Sequence, residues 1–317
     1  MSASPQIRPA SAVADFSGVL VIDKPAGLTS HDVVARVRRL LHIRQVGHFG
    51  TLDPFATGVL PLSLGKATRF AQFYLKSSKA YEGAIRFGFS TDTYDSTGQP
   101  TSSPAACHPD RGALERVAGE FTGRIMQVPP PFSAKRVNGV RAYELARRHK
   151  PVDLRPVEIE IYALELGELE ADAAHFSVEC SGGTYVRSLA HDLGKRLNCP
   201  AHLACLRRTA VAEFKAGQAV TLEELARLTE AGKLGSACVP LERLLPECPE
   251  LVVRGREEQS VRHGRAFELA QALRPDRGRP GAAPAISLLK ILSAERRLIA
   301  IARHVSGAVY HPDLVLV

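Results

Sequence analysis

The chain has 317 residues, 45% of them hydrophobic, and its 41 Lys and Arg against 33 Asp and Glu give a net charge of +8. That composition can bury a core in one large domain with a smaller one, or in two domains of moderate size, and the basic balance favours a polyanionic partner. No run of residues is long and apolar enough to span a bilayer, and the first 16 residues lack the apolar stretch of a signal peptide.

The first third of the chain predicts a strand, a turn and a helix in succession. Val19 to Ile22 is expected to be a short buried strand, and DKPAGLTS after it holds two breakers, Pro25 and Gly27. Ser30 is expected to cap the following helix, whose apolar residues recur at helical spacing. The other elements predicted in this third are a Gly-rich loop at 47–54, a helix near 68–75 and a strand at 81–89.

The middle of the chain alternates helices and strands on either side of a basic segment. Residues 127–155 hold a Pro run followed by an excess of Lys and Arg, which indicates either a solvated basic helix or a clamp that faces RNA. A capping box, Thr221 with Glu224, opens a later helix. The other elements predicted here are helices at 112–120 and from residue 184, and strands at 157–166, 174–180 and 203–214.

The segment beyond residue 249 is predicted to be a separate small module. Pro246 to Pro249 has the composition of a linker, and the short apolar runs at 285–292 and 296–304, with a final VLV, predict strands. The expected organisation is therefore a disordered tail at 1–16, a large α/β domain at 17–247 with the basic insertion at 127–155, and a β-rich module at 250–317.

Six cysteines are scattered through the chain without the dense framework of a small disulfide-bonded domain. This predicts free thiols, a reducing compartment and a cytoplasmic location. In the run CPAHLAC, Cys199, His202 and Cys205 could imitate metal ligands. A structural zinc site needs four ligands in paired units, and no fourth ligand lies in this run, so no metal is expected.

The run GHFGTLDPFATGVLP contains a single carboxylate, Asp53, among glycines and apolar residues. An Asp before a Pro is most often a turn residue whose carboxylate bonds nearby backbone N–H groups. The flanking glycines let other groups approach the backbone closely, which also allows an ionised carboxylate that acts as a nucleophile. A glycosidase with paired carboxylates stays open, because a second acid could lie far away in the sequence.

Two other side chains are candidates to work with Asp53. Arg187, in GGTYVRSLAHDLG, is the natural counter-ion, because a buried carboxylate needs a charge partner to stay ionised. Taken alone, an Arg near a helix start is commonly a solvated surface residue. Tyr81 begins a strand, where a tyrosine is usually a half-buried packing residue. Alternatively, its ring stacks on a base and its hydroxyl transfers a proton.

These motifs, in this order, resemble the signature of the TruB family of tRNA pseudouridine synthases. The resemblance implies a mixed α/β pseudouridine-synthase fold with a long central mixed sheet flanked by helices, followed by a small C-terminal PUA-like RNA-binding barrel. It runs along nearly the whole chain and is carried by the segments GVLVIDKPAGLTSHDVV, GHFGTLDPFATGVLPLSLGKATRF, SKAYEGAIRFGFSTDTYDSTG, PPPFSAKRVNGVRAYELAR, CSGGTYVRSLAHDLG and HLACLRRTAVAEF.

The resemblance also implies roles for individual residues. Asp53 would be the nucleophile, Tyr81 the residue that stacks on the base, and Arg187 the partner of Asp53. Lys24 would support the catalytic loop. This chain has Phe49 where the family usually has Thr or Ser, and a phenyl ring can stack but cannot hydrogen-bond. The residues implied to line the pocket, hold flipped nucleotides or grip RNA are His48, Phe49, Tyr185, Leu206, Lys135, Arg141, Arg147 and Arg148.

The implied reaction is the isomerisation of a uridine in the T loop of tRNA to pseudouridine, with the T stem-loop as partner and no cofactor, metal or membrane. We expect a monomeric enzyme that flips the nucleotide, cleaves its N-glycosidic bond with Asp53, turns the base and forms a C–C bond. Whether Asp53 attacks C1′ or assists elimination is open. Two alternatives are a guide-dependent synthase subunit of a ribonucleoprotein and a non-catalytic tRNA-binding or folding protein.

Overall fold

A computed structural model describes residues 16–101, 103, 107–137, 139–148, 150, 152–170, 172–269 and 287–316. The tail expected at 1–16 therefore lies, apart from Phe16, outside the described residues. The α-helices of the described chain are α1 (Ser30–Leu41), α2 (Ala71–Tyr74), α3 (Arg111–Glu120), α4 (Ala142–Arg147), α5 (Val186–Arg196), α6 (Leu222–Glu230) and α7 (Gly255–Arg262).

The strands belong to one large sheet, one smaller C-terminal sheet and one short hairpin. In chain order they are β1 (Gly18–Lys24), β2 (Val46–His48), β3 (Thr57–Leu64), β4 (Lys79–Phe87), β5 (Gly123–Gln127), β6 (Arg136–Val137), β7 (Val140–Arg141), β8 (Val157–Leu169), β9 (Ala173–Cys180), β10 (Ala201–Val211), β11 (Phe214–Lys215), β12 (Cys238–Val239), β13 (Glu250–Val252), β14 (Phe267–Glu268), β15 (Leu288–Leu292), β16 (Leu298–Ser306) and β17 (Val309–Val315).

The large sheet has the strand order β12-β1-β3-β10-β4-β9-β8-β5, with β2 paired to β3 and β11 to β10. All of its neighbouring strands are antiparallel except β3 and β10, which run parallel. The apolar faces of α1 and α5 pack on this sheet in one core. The prediction of a long mixed sheet flanked by helices is confirmed.

Helix α1 begins one residue away from the predicted cap. Thr29, and not Ser30, is the N-cap, and its side chain and that of Asp32 form a capping box. Ser30 is already helical and buried, and its hydroxyl bonds the backbone of Leu52. Ser and Thr are both strong N-caps, so two such residues in succession make the boundary ambiguous in sequence. The second capping box, Thr221 with Glu224, is confirmed at the start of α6.

Two other predicted elements differ from the structure. The helix predicted near 68–75 is a 3₁₀ segment, Gly65–Phe70, followed by the single turn α2. The strand predicted at 203–214 is broken, because Ala212 adopts a left-handed backbone with φ 48° and β11 turns back to pair with β10. Apolar spacing over a few residues does not distinguish these local geometries.

The prediction of free thiols is wrong for one pair of cysteines. Cys107, in the loop before α3, is disulfide-bonded to Cys199, which lies between α5 and β10. The other four cysteines are free. The spacing of 92 residues between the two partners gave no sign of this pairing, because disulfide connectivity cannot be deduced from sequence alone.

The C-terminal module is a five-stranded sheet in the order β13-β15-β16-β17-β14 with α7 against it. Its β-rich character is as predicted. One of its apolar faces is not separate from the rest of the chain: Leu292, Leu298 and Ile301 share a buried cluster with Val19, Phe70 and other residues of the large domain. The two units are therefore packed on a common core.

The basic insertion is an irregular segment with a hairpin and one short helix. After β5 the chain passes through bends at 131–134, then the hairpin of β6 and β7, then α4. The described part of the chain contains no helix long and apolar enough to cross a membrane.

Candidate active site

A cavity of about 610 Å³ lies where the loop after β2 meets β4, β10, the start of α5 and the insertion. We refer to it below as the central cavity. Among the residues that line it, those predicted from the sequence are Asp53, Tyr81, Arg147, Tyr185, Arg187 and Leu206. The sequence separations between them are large, so the site exists only because β3, β10 and β4 are adjacent in the sheet.

Asp53 and Arg187 form a bidentate ion pair at the wall of the central cavity. Arg187 Nε donates to Asp53 Oδ2 at 2.8 Å, and Arg187 NH2 donates to Asp53 Oδ1 at 3.0 Å. The Arg187 side chain is 5% exposed and that of Asp53 is 35% exposed. The guanidinium is thus the buried partner, and the carboxylate is the one that a ligand in the cavity can reach.

The Arg187 guanidinium has three further contacts. It donates to the carbonyl oxygens of Thr93 and Phe132, each at 3.0 Å. Its NH1 also lies 3.5 Å from Asp95 Oδ2, and the Asp95 side chain is as buried as that of Arg187. One guanidinium therefore lies between two carboxylates, and its remaining N–H groups are held by backbone carbonyls, so it has little freedom to rotate.

The loop that carries Asp53 is fixed by hydrogen bonds on both sides. Before Asp53, Leu52 N donates to Ser30 Oγ at 2.8 Å. After it, the carbonyl of Pro54 accepts from Gly27 N at 2.8 Å and from Lys24 Nζ at 3.2 Å. These bonds tie the loop to α1 and to the DKP turn.

Lys24 is fully buried beneath that turn. Its Nζ also donates to the carbonyls of Pro25 and Leu28, each at 2.8 Å. Burial lowers the pKa of Lys24 to about 8, and the nearby Asp53 carboxylate opposes that shift. Through Pro54, Lys24 is bonded to the loop that carries Asp53.

Tyr81 lies on β4 directly opposite Arg208 of β10, with only 9% of its surface exposed. Burial raises the pKa of the Tyr81 hydroxyl, and the positive charge of the Arg208 guanidinium opposes that rise. Leu206 lies two residues before Arg208 on the same strand, so both side chains point to the face that Tyr81 occupies. An aromatic ring and an isobutyl group thus border the cavity beside Asp53.

His48 is the last residue of β2 and Phe49 follows it, and neither is among the residues that line the central cavity. His48 is half-buried, its Nδ1 accepts from Gly50 N at 3.3 Å, and burial lowers its pKa. Phe49 is 0% exposed and its ring stacks on Tyr74, with the ring centroids 4.3 Å apart. The RNA contact implied for Phe49 is therefore corrected: the phenyl group fills the core and presents no surface to a ligand.

Tyr185 is the N-cap residue of α5, two residues before Arg187, and lines the cavity with it. Its backbone N–H donates to Gln127 Oε1 at 2.8 Å, and Gln127 Nε2 donates back to its carbonyl at 3.1 Å. Burial raises the pKa of the Tyr185 hydroxyl. The reciprocal amide pairing fixes where α5 begins, and hence where Arg187 points.

The basic residues of the insertion have different positions. Arg147 lines the central cavity, with its guanidinium carbon 5.6 Å from the centre of the Tyr143 ring. Lys135 and Arg148 are exposed and lie outside the cavity wall. Arg141 belongs to the hairpin strand β7.

Sequence reasoning missed three charged residues of the site: Lys79, Asp95 and Arg208. Asp95 lies between two threonines, and its Oδ1 accepts from the hydroxyls of Thr93 and Thr97. Arg208 occupies a buried position of a strand, in register with Leu206, where an apolar residue would be usual. A charge on the buried face of a predicted strand is the signal that could have revealed it.

The residues described contain no group of three or more His, Cys, Asp and Glu side chains arranged to hold a metal ion. Cys199, one of the three possible ligands in CPAHLAC, is engaged in the disulfide.

Comparison with known proteins identifies relatives along almost the whole chain. The N-terminal domain of TruB family pseudouridylate synthases matches residues 38–186, and the tRNA pseudouridylate synthase B C-terminal domain matches residues 187–246. A tRNA pseudouridine synthase B of Solibacter usitatus is 47% identical over 95% of this chain and 100% of its own length. One from Cupriavidus metallidurans is 39% identical, with 95% of each chain covered.

A solved structure, a Cbf5-Nop10-Gar1 complex, contains a chain of the same fold. It is 28% identical, with a TM-score of 0.70 over 95% of this chain and 82% of that one. The architecture is therefore that of the pseudouridine synthases. Within that class, the matches over residues 38–246 and the extent of the relatives show that the chain belongs to the TruB family.

Proposed function

We propose that this chain converts a uridine in the T loop of tRNA to pseudouridine, without a guide RNA or a protein partner. The observation that carries the proposal is the Asp53 carboxylate, held bidentately by Arg187 at the wall of a cavity that Tyr81 and Leu206 also line. The names of the relatives, tRNA pseudouridine synthase B, support tRNA as the substrate.

The central cavity can receive one nucleotide taken out of a folded loop. Its volume of about 610 Å³ is within the range of small-molecule sites. Flipping costs a few kcal/mol of stacking. A base placed against the Tyr81 ring, with Leu206 on its other side, would recover part of that cost, because aromatic stacking on a base is favourable.

Asp53 then acts on the sugar. The two N–H groups of Arg187 hold both carboxylate oxygens of Asp53, and the carboxylate lies on the cavity wall. The bond between N1 and C1′ breaks, and its electron pair stays with the uracil. Either Asp53 bonds to C1′, or it removes the C2′ proton in an elimination.

The remaining steps keep every atom of the substrate. The uracil turns within the cavity, C5 bonds to C1′, and the bond or double bond formed in the first step is undone. The proton on C5 then leaves, and N1 gains one. Tyr81 lines the cavity with Asp53, and its hydroxyl is the group that we propose helps to remove the C5 proton. No electron is transferred and no group is activated, so we propose no cofactor.

The RNA around the flipped nucleotide would be held by the insertion. Arg147 at the cavity wall and the exposed Lys135 and Arg148 offer cations to phosphates on either side of the uridine. Phosphate contacts fix the register of an RNA without reading its sequence. We further propose that the enzyme acts as a monomer in the cytoplasm, where its substrate is processed. Sedimentation of the purified chain alone tests the monomer.

The decisive experiment maps pseudouridine in an unmodified tRNA transcript before and after incubation with the purified chain. A single new pseudouridine in the T loop is the expected result. Modification elsewhere, or none, would contradict the proposal. A T-arm stem-loop should also be a substrate, because it contains the uridine to be flipped and the phosphates that the insertion would contact.

A guide-dependent subunit is the second candidate, and the similarity to a chain of the Cbf5-Nop10-Gar1 complex favours it. Identity to the tRNA pseudouridine synthase B of Solibacter usitatus is higher, at 47% against 28%. Turnover of the bare stem-loop by the chain alone would exclude the guide-dependent alternative. Turnover that needs a guide RNA and further proteins would establish it.

A further inference from the structure

Arg208 is among the largest fully buried side chains of the described residues, with 1% of its surface exposed. It lies in the middle of the large sheet, opposite Gly58 on β3 and opposite Tyr81 on β4. No carboxylate of the described residues lies within ion-pairing distance of it, although a buried cation ordinarily needs one. Some role other than ion pairing must therefore explain why the fold buries this guanidinium.

The guanidinium is satisfied by backbone carbonyls on both sides of Asp53. Its NH2 donates to the carbonyl of Gly50 at 3.1 Å, and its NH1 donates to that of Thr51 at 3.2 Å. Its Nε donates to the carbonyl of Val59 at 2.8 Å. The first two carbonyls precede Asp53 by three and two residues, and the third belongs to the strand that follows the loop.

The local backbone is shaped to let Arg208 approach. Gly58 has φ +100°, and a Cβ there would lie 2.2 Å from the carbonyl oxygen of Arg208. Strand β10 also shifts register between Arg208 and Ala210, a bulge of the kind that redirects a side chain. The glycine and the bulge both lie next to Arg208 in the sheet, where its guanidinium meets the Asp53 loop.

The guanidinium thus contacts both arms of the loop, and the strand position that carries it lies directly opposite Tyr81 of β4. An arginine can do this because its planar fork presents five N–H groups in a fixed geometry. Arg208 uses three separate nitrogens for its three carbonyls, and a lysine ammonium, a single point donor on a flexible stem, cannot reproduce that fork.

We propose that Arg208 is a positioning residue of the pseudouridine synthase reaction: its guanidinium fixes the Asp53 loop relative to Tyr81, so that the carboxylate and the phenol address the same nucleotide. The proposal rests on the proposed function. It separates the role of Arg208 from that of Arg187, which bonds the Asp53 carboxylate itself and not the backbone that carries it.

The test compares two variants, Arg208→Lys and Arg208→Gln, with matched controls at the adjacent residue, Arg207→Lys and Arg207→Gln. Lysine keeps the charge and loses the fork, and glutamine removes the buried charge and keeps one donor group. Arg207 is on the same strand, but its side chain is 41% exposed and pairs with Asp23, outside the Asp53 loop.

Three quantities are measured for each variant: the single-turnover rate of pseudouridine formation on a T-arm stem-loop, the Kd for that RNA, and amide hydrogen exchange of residues 49–59. We expect both Arg208 variants to lose about 10²-fold in rate, because a misplacement of about 1 Å costs that much. The RNA Kd should change by less than about threefold, and exchange should rise in 49–59 but not in the C-terminal sheet. The Arg207 variants should keep the wild-type rate.

A wild-type rate in either Arg208 variant would overturn the proposal. So would a rate loss matched by an equal loss of RNA affinity, or failure of both variants to fold, since Arg208 would then serve the fold alone. Inactivity of the wild-type protein on tRNA would instead refute the proposed function, which keeps the two failures distinguishable.

Discussion

The geometry of Asp53 depends on a single arginine that is itself held in place. Arg187 bonds both carboxylate oxygens of Asp53, and the carbonyls of Thr93 and Phe132 use its other N–H groups. Since Phe132 belongs to the basic insertion, the orientation of the carboxylate depends on how that insertion is seated. The insertion, which we propose grips the RNA, and the carboxylate, which we propose attacks it, are therefore linked through one side chain.

Replacement of Asp53 by Asn should abolish turnover and leave RNA binding nearly intact. The amide keeps the shape of the side chain, while the nucleophile is lost, and Asp95 remains 3.5 Å from Arg187 to balance its charge. We expect the single-turnover rate to fall by about 10⁴-fold or more, as for other essential catalytic groups. Asp53→Ala is the control for shape. Turnover within tenfold of wild type in Asp53→Asn would refute the assignment.

Arg187→Lys should retain the charge but lose the bidentate geometry. An ammonium can bond one carboxylate oxygen and cannot also reach the carbonyls of Thr93 and Phe132. We therefore expect a rate about 10²-fold below wild type, with a smaller effect on the Kd for RNA. The measurement is the rate at saturating enzyme. A lysine variant as fast as wild type would show that the fork is dispensable.

At this scale the sequence revealed the residues with a recognisable motif and missed those that support them. Asp53, Tyr81 and Arg187 lie in long signature segments, and the structure brings all three to one cavity. Asp95 lies in the signature segment of Tyr81, and Arg208 lies in the segment 202–214. The segments alone do not show that these two side chains face the site, although the charge of Arg208 on the buried face of a predicted strand was a usable signal. For Phe49 the sequence implied a contact with RNA, but the ring is buried. A phenyl ring next to such a loop can pack in the core as readily as against a ligand.

For the basic insertion, the sequence composition predicted the charge well but did not predict the conformation. Its excess of Lys and Arg was evident, yet Arg147 is the only one of its described basic side chains that reaches the central cavity, and α4 spans just six residues. Helical propensity is a weak guide in so short a segment. The strand broken at Ala212 has the same cause, since a positive φ at a non-glycine residue leaves no sequence signal.

Neutralising the insertion tests its role as an RNA clamp. In the double variant Arg147→Gln, Arg148→Gln, the log of the binding constant should depend less steeply on the log of salt concentration, by about 0.7 for each phosphate of a single strand that is no longer neutralised. Affinity at low salt should fall accordingly. The matched control neutralises two exposed arginines elsewhere in the large domain, Arg116 and Arg124. Equal changes in the two double variants would assign the effect to net charge alone.

The disulfide joins the loop before α3 to the short segment between α5 and β10. Cys107 and Cys199 close a chain segment of 92 residues, and cross-links of this kind commonly stabilise a fold by about 2–4 kcal/mol. Reduction, or Cys107→Ser, should therefore lower the thermal midpoint, and dithiothreitol should have no further effect on the variant. A midpoint of the wild type that does not respond to reductant would mean that the thiols are unpaired in solution.

At the scale of the whole molecule, the C-terminal module is fastened to the large domain by a shared core. Leu292, Leu298 and Ile301 of the module and Phe70 and Tyr74 of the large domain belong to one buried cluster. In the sequence, the linker composition and the change to short apolar runs predicted the boundary between the two units. Neither signal predicts which apolar faces of the two units pack together. Because one buried leucine contributes about 2–5 kcal/mol, removal of the module would weaken the large domain as well. Point substitutions on its surface are the cleaner way to ask what it binds.

Arg254 and Arg256, at the start of α7, are suited to that question, because both are exposed on the module and far in sequence from the insertion. If the module grips a part of tRNA distant from the flipped uridine, the double variant Arg254→Gln, Arg256→Gln should bind full-length tRNA more weakly than wild type, with a flatter salt dependence. Its affinity for the isolated T-arm stem-loop should be unchanged, because that RNA ends before the module.

The rate at saturating substrate should also be unchanged, since neither arginine lines the central cavity. The control is Arg303→Gln, which removes a module arginine that is already neutralised by Asp313. Binding is measured for both RNAs across a salt series. Equal losses on the stem-loop and on full-length tRNA would mean that the module contacts the T arm itself. No loss on either RNA would exclude this face of α7 from the interface, and the module would then contribute to binding only through the core that it shares with the catalytic sheet.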